Sequence, residues 1–283
     1  MWARFWVVLS LLLCSGSLWA QQPQGFVVSI HPLFLIAKEI TKGIEEPILL
    51  LPNQSGHDVQ LTPANRKAVQ DAELVMWLGK AHEAPLDKLL SQNPKAISLL
   101  NMNILATLPL RDVRGNAIAN SVDTHVWLDP NNAIRIGFFI AALRSKQHPE
   151  NKAQYWANAQ NFAKQMLQNT QKFGRNKKAM EYWSYHDAYQ YIERPLNLKI
   201  AGALSEDPHL APTLAQIKYL NDTRPYPSMC LLAEGQAASS QYKKLQPFRF
   251  ATVDESLSSE TNFITAWDDL ARTIQNCTLN IQK

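Results

Sequence analysis

From residue 26 onward, short β-rich runs alternate with stretches whose apolar side chains recur every three or four residues. This is the pattern of a parallel sheet with crossover helices. Phe26 to Ile30 predicts a strand, Pro32 opens a helix that Gly43 stops, and Pro47 to Leu51 predicts a second strand. A loop and a helix beginning at Thr62-Pro63 follow, since proline is favoured in the first helical turn. Leu74 to Leu78 and Ala96 to Leu100 read as strands three and four, with a helix around Ala84 to Leu90 between them and another from about Asn131 to Lys146. A second series predicts strands near Met180 to Tyr185, Leu198 to Ala203, Met229 to Ala233 and Arg249 to Val253, separated by helices and ending in one from about Glu260 to Asn276. Between the two series, Pro149 to Gly174 carries Trp156, Ala159, Ala163, Met166, Thr170 and Phe173 on one helical stripe. Such a helix would extend roughly 35 to 40 Å and is expected to join the halves as a stiff strut.

Composition narrows the class. The 283 residues are 46% hydrophobic and 18% charged, which excludes collagen-like, disordered and polytopic membrane chains. The 28 Lys and Arg against 24 Asp and Glu are spread without a dense basic run, so nothing points to nucleic acid. Met1 to Ala20 has one basic residue, Arg4, then the apolar run Phe5 to Cys14 and a small, polar end, the form of a cleavable secretory signal. The run is shorter than the roughly 18 to 20 residues needed to span a bilayer. Leu13 argues against lipidation of Cys14. Removal of the signal leaves Cys230 and Cys277, an even count best read as a disulfide in an exported chain, with two buried free thiols as the alternative.

Nucleotide and hydrolase motifs are missing: there is no G-x-G-x-x-G, G-x-x-x-x-G-K, G-x-S-x-G or H-E-x-x-H, and His82-Glu83 has no second histidine four positions on. Histidine placement remains. His31, His57, His82, His125, His186 and His209 all follow predicted strands, where open α/β sheets bind ligands. His57 lies in a loop after Leu51-Pro52, His125 in Asp123-Thr124-His125-Val126-Trp127, and His186 in Tyr185-His186-Asp187-Ala188-Tyr189. Three such loops meeting at one point would suit zinc, with a carboxylate from a fourth loop completing a tetrahedron. The alternative for each histidine is a hydrogen-bonded or solvated side chain.

At these residues the chain resembles the zinc-binding periplasmic components of bacterial ABC importers, the ZnuA type of metal receptor. The matching stretches run from Ser29-Ile30-His31-Pro32-Leu33 through Asp71 to Gly79, Asp123 to Leu128 and Tyr185 to Tyr189, on to Cys230 to Glu234 and Thr252-Val253-Asp254. The resemblance implies two Rossmann-like α/β lobes, each with a roughly four-stranded parallel sheet, joined by a long rigid helix. The implied division is a signal at 1–20, lobes at 21–148 and 177–283, and a linking helix at 149–176. It implies His57, His125 and His186 as metal ligands, Asp254 at the acidic fourth position, and the Cys230–Cys277 disulfide. Three histidines favour Zn2+ as the transported ligand, because manganese-type relatives usually place a carboxylate where this chain has His186. His31 stands where relatives usually have no ligand, and residues 101–124 lack the His- and acid-rich loop that many zinc receptors carry. Asp58, Asp187 and Glu234 are candidates for orienting the ligands.

The expectation is a monomeric periplasmic receptor, not an enzyme, that passes zinc to an inner-membrane ABC permease. Its alternatives are a receptor for manganese or another divalent ion, and an exported zinc hydrolase.

Overall fold

In the computed structural model the described residues are 25–52, 60–176, 178–234 and 244–279. The signal expected at 1–20 and the loop bearing His57 lie outside them. Among the described residues, eight strands form two four-stranded sheets whose strand pairings are all parallel. The first sheet contains β1 (Phe26–Val28), β2 (Ile48–Leu49), β3 (Leu74–Trp77) and β4 (Ala96–Ser98), in the order β2-β1-β3-β4. The second contains β5 (Met180–Ser184), β6 (Leu198–Ala203), β7 (Met229–Ala233) and β8 (Phe248–Thr252), in the order β6-β5-β7-β8. β1, β3 and β7 are buried along their whole length, as expected for strands covered on both faces. The order turns back between β1 and β3 in one sheet and between β5 and β7 in the other, the switch points at which such sheets bind ligands.

Most strand ends fall one or two residues short of the sequence expectation, because the terminal residues are already turning. Ile30, for example, precedes α1 (His31–Thr41) in an extended conformation and leads into Pro32 in the first helical turn. The helix starting at Thr62-Pro63 is α2 (Pro63–Asp71), closed by a reciprocal cap in which Asn65 N donates to Thr62 Oγ1 at 3.2 Å and Thr62 N donates to Asn65 Oδ1 at 2.8 Å. The helix expected at 84–90 is a 3-10 turn at Ala84–Leu86 followed by α3 (Asp87–Leu90). In the second half, α6 (Gln190–Leu196) and α7 (Leu214–Asp222) connect strands, and α8 (Phe263–Leu279) follows β8. Cys230 on β7 and Cys277 on α8 form a disulfide.

Two long helices lie between the sheets in sequence, α4 (Pro130–Gln147) and α5 (Lys152–Thr170), with a 3-10 turn at Pro149–Asn151. α5 is shorter than the expected strut, 19 residues or about 28 Å. Its buried stripe is Tyr155, Ala159, Phe162, Met166 and Asn169, so Tyr155 and Phe162 face inward where Trp156 and Ala163 were expected. The register follows from polar anchoring: the Tyr155 hydroxyl donates to Glu45 at 2.7 Å, and Glu45 in turn holds the buried Arg144 of α4. α5 packs against α1, α4 and α8. The core is largely continuous from the first sheet into the second.

Candidate metal centre

His125 and His186 come together at the junction of the two sheets. His125 opens a 3-10 turn at Val126–Leu128 that leads, through Asp129 as helix cap, into α4. His186 follows β5 by two residues, and the Ser184 hydroxyl donates to its carbonyl. The imidazole rings lie 5.9 Å apart, centre to centre, and both residues are buried. Glu255, just past β8, completes the group: its Oε1 is 3.6 Å from His186 Nε2, and one potential ligand atom from each of the three residues lies within 4.8 Å of the others.

Asp254 is not part of this group. Its Oδ1 accepts from the backbone N–H and hydroxyl of Ser256, and its Oδ2 accepts from the N–H and hydroxyl of Ser258 at 2.7 Å each. Burial raises the Asp254 carboxyl, but these four donors outweigh it and hold the group below the usual carboxylate range. Asp254, the residue expected at the acidic position, caps the turn here, and its neighbour Glu255 lies beside His186. The spacing Asp254-Glu255-Ser256-Leu257-Ser258 was the available signal, since an aspartate followed by serines two and four residues on suits a self-capped turn.

The environment of the group is built by residues that sequence reasoning passed over. Asp123, almost fully buried, accepts from His125 Nδ1 at 2.8 Å and from His125 N–H at 3.0 Å. This carboxylate fixes the ring with its Nδ1 proton turned away, so Nε2 faces the other ligands. The signal was the D-x-H spacing, which suits an aspartate bonding the backbone two residues on. The Trp127 indole donates to Glu255 O at 2.7 Å and stacks edge-on against His82, whose Nδ1 lies 2.8 Å from the Thr124 hydroxyl. Burial first, and then the adjoining Glu234 carboxyl, hold the Glu255 carboxyl well above its ordinary range. Asp187 faces away to Arg111, and His31 instead contacts the backbone of Ser256 and Leu257. A cavity of about 210 Å³ runs from His125 and His186 outward past Leu110, Val122, Asp207 and His209.

Two imidazoles and one carboxylate, brought together from the turn before α4 and the ends of β5 and β8, offer a cation nitrogen and oxygen donors, and the fold is that of two-lobed metal-binding receptors. The sequence profile of the family described as "Zinc-uptake complex component A periplasmic", ZnuA, matches residues 26–277, and the chain belongs to that family. It is a solute-binding receptor of a zinc-uptake ABC importer and not an enzyme. Its relatives include the high-affinity zinc uptake system protein ZnuA of Brucella abortus (strain 2308), 27% identical over 267 residues covering 79% of this chain and 80% of that one. The protein of the same name in Haemophilus ducreyi is 29% identical over 239 residues, covering 74% and 76%. The zinc-bound structure of an AdcAII variant from Streptococcus pneumoniae superposes with a TM-score of 0.76 at 18% identity, covering 91% of this chain and 99% of that one, and so shares the fold.

Proposed function

We propose that this receptor binds one zinc ion through His57, His125, His186 and Glu255 and delivers it to an inner-membrane ABC permease. The observation that carries the reading is the buried convergence of His125, at the start of the 3-10 turn Val126–Leu128, with His186 and Glu255 from the ends of β5 and β8. His57 enters from its place in the loop between β2 and α2, the match of that loop to the family, and the tetrahedral preference of zinc for a fourth protein donor. The ion has the charge this pocket needs: a cation beside Glu255 favours the ionised carboxylate that burial and Glu234 disfavour. The proposed division is a lobe at 21–148, a connecting helix at 149–176 and a lobe at 177–283, with residues 1–20 removed on export. The periplasmic character of the family supports export, and among the described residues no helix is long and apolar enough to cross a membrane.

Titration of the purified metal-free chain with zinc in competition with manganese tests this reading. His125→Ala and His186→Ala are each expected to weaken zinc by more than the roughly 10 to 100-fold carried by outer partners of metal ligands. Glu255→Gln should weaken it, and Asp254→Asn should weaken it less. Unchanged affinity in both histidine variants, or tighter binding of manganese than of zinc, would remove the proposed site.

A further inference from the structure

Residues 102–123, which follow β4, leave the first sheet and lie across the edge of the second. A single antiparallel bridge pairs Arg111 with Ala117, and the Asp112 carboxylate closes the turn between them by accepting from the N–H groups of Arg114 and Asn116 at 2.9 Å each. The Val113 carbonyl then accepts from Ala203 N–H, at the end of the edge strand β6, at 2.9 Å and from the Gln216 side chain at 3.0 Å. This approach requires Gly202, at φ +149°, where a Cβ would stand 3.1 Å from Val113 O and 2.6 Å from Leu220 Cδ2. The segment is therefore a strap built against the second half.

Arg111 is the side chain that ties the strap to the second half, and it is only 10% exposed. Its Nε and Nη2 grip both oxygens of Asp187 at 2.7 Å each, and its Nη1 and Nη2 grip both oxygens of Glu193 at 3.0 and 2.8 Å. Two forked pairs from one guanidinium leave it a single defined orientation. The two grips serve different ends. Glu193, on α6, also accepts from the Tyr182 hydroxyl and from Ile200 N–H, contacts internal to the second sheet. Asp187 is bonded to His186 through the chain itself. The other end of the strap reaches His125: Asp123 N–H donates to Leu108 O at 2.8 Å, and the Asp123 carboxylate holds the His125 ring.

We infer that Arg111 is a positioning residue for the metal site, fixing His186 through Asp187 so that one strap sets the spacing of the His125 and His186 imidazoles. The inference rests on the metal reading above and adds what holds the site in shape. A backbone whose Asp187 side chain is clamped cannot rotate its 186–187 peptide freely, so the ring beside it stays aimed at Glu255 and His125. A guanidinium is needed because only a planar fork satisfies both carboxylates at once.

The test compares the full-length mature chain with Arg111→Ala, Arg111→Lys, Asp187→Asn and Glu193→Gln. Zinc affinity is read by chelator competition, the ligand field by the visible absorption of the cobalt(II) form, and stability by thermal unfolding without metal. Arg111→Ala and Asp187→Asn should weaken zinc about tenfold or more and change the cobalt spectrum. Arg111→Lys should recover part of both. Glu193→Gln should lower the unfolding temperature while keeping zinc affinity close to that of the unaltered chain. The inference is overturned if Asp187→Asn and Arg111→Lys bind zinc and cobalt as the unaltered chain does, or if Glu193→Gln loses as much zinc affinity as Asp187→Asn. Absence of zinc binding in the unaltered chain would instead remove the metal reading itself.

Discussion

Glu83 is a carboxyl with no solvent exposure, one residue from His82 and beneath the end of β3. Its Oε2 accepts from Leu78 N–H at 2.7 Å, where Gly79 turns the chain at φ +134°. Burial pushes its pKa up to about 7, more than the donors Ser29, Leu78 and Gly79 pull it down. Between the ordinary value of 4.5 and that value the folded chain holds a proton the unfolded chain has lost. The contribution of this group to stability is therefore complete below pH 4.5, is lost as pH rises to about 7, and is flat above. The loss amounts to about 3 kcal/mol at most. Glu83→Gln keeps an acceptor for Leu78 and removes the titration. Urea unfolding of both proteins at pH 5, 6, 7 and 8 should show the variant gaining on the unaltered chain as pH rises, and parallel curves would refute the assignment. The same scale shows what a sequence can and cannot reveal. The pairing of His125 with His186 was legible through the resemblance to the family, because the strand rule by itself offered six histidines and chose among none of them. Glu255 was not, since it and Asp254 differ only in which is drawn into the Ser256 and Ser258 turn, a matter of a few local hydrogen bonds.

At the scale of elements, the strands were legible because their apolar runs are buried whichever partner they meet, and the crossovers because proline and capping residues mark where helices begin. Two features were less so. The inward stripe of α5 is displaced because Tyr155 is drawn to Glu45, a contact 110 residues apart that no local period contains. The strap at 102–123 has no regular period of its own, and Arg111 meets partners 76 and 82 residues further on. The disulfide gives this scale its prediction. Cys230 and Cys277 are separated by 47 residues and tie the fully buried β7 to α8, which packs on β5, β7 and β8. In the chain-entropy account, closing such a loop stabilises the fold by about 4 kcal/mol. Cys230→Ala combined with Cys277→Ala should lower the urea midpoint and steepen the slope, because the unbridged unfolded chain exposes more surface. A variant as stable as the parent would mean that α8 packing alone holds this edge.

Across the whole molecule, the turns that carry His186 and Glu255 in the second half are held by donors from the first. Trp127 donates to Glu255 O, His31 contacts Ser256 and Leu257, and Arg111 clamps Asp187. In the reverse direction the Trp267 indole of α8 donates to Leu128 O at 2.9 Å, and the Asn262 side chain donates to Glu39. Opening the halves by a hinge would break these bonds together and expose buried donors and charges, each a cost without compensation. A fold braced in this way should bind its ion with little change in shape, unlike receptors that close around a ligand like a hinge. The energetic response should nonetheless be large, because zinc binds the folded chain and scarcely the unfolded one. At free zinc 1,000 times the dissociation constant the gain is about 4 kcal/mol. Thermal unfolding with and without zinc, paired with small-angle X-ray scattering of the same samples, separates the two effects. The expected result is a clear rise in unfolding temperature with superimposable scattering curves. A contraction of the particle on adding zinc would show that these bonds form only in the loaded state, and that metal affinity includes the work of bringing the two halves together.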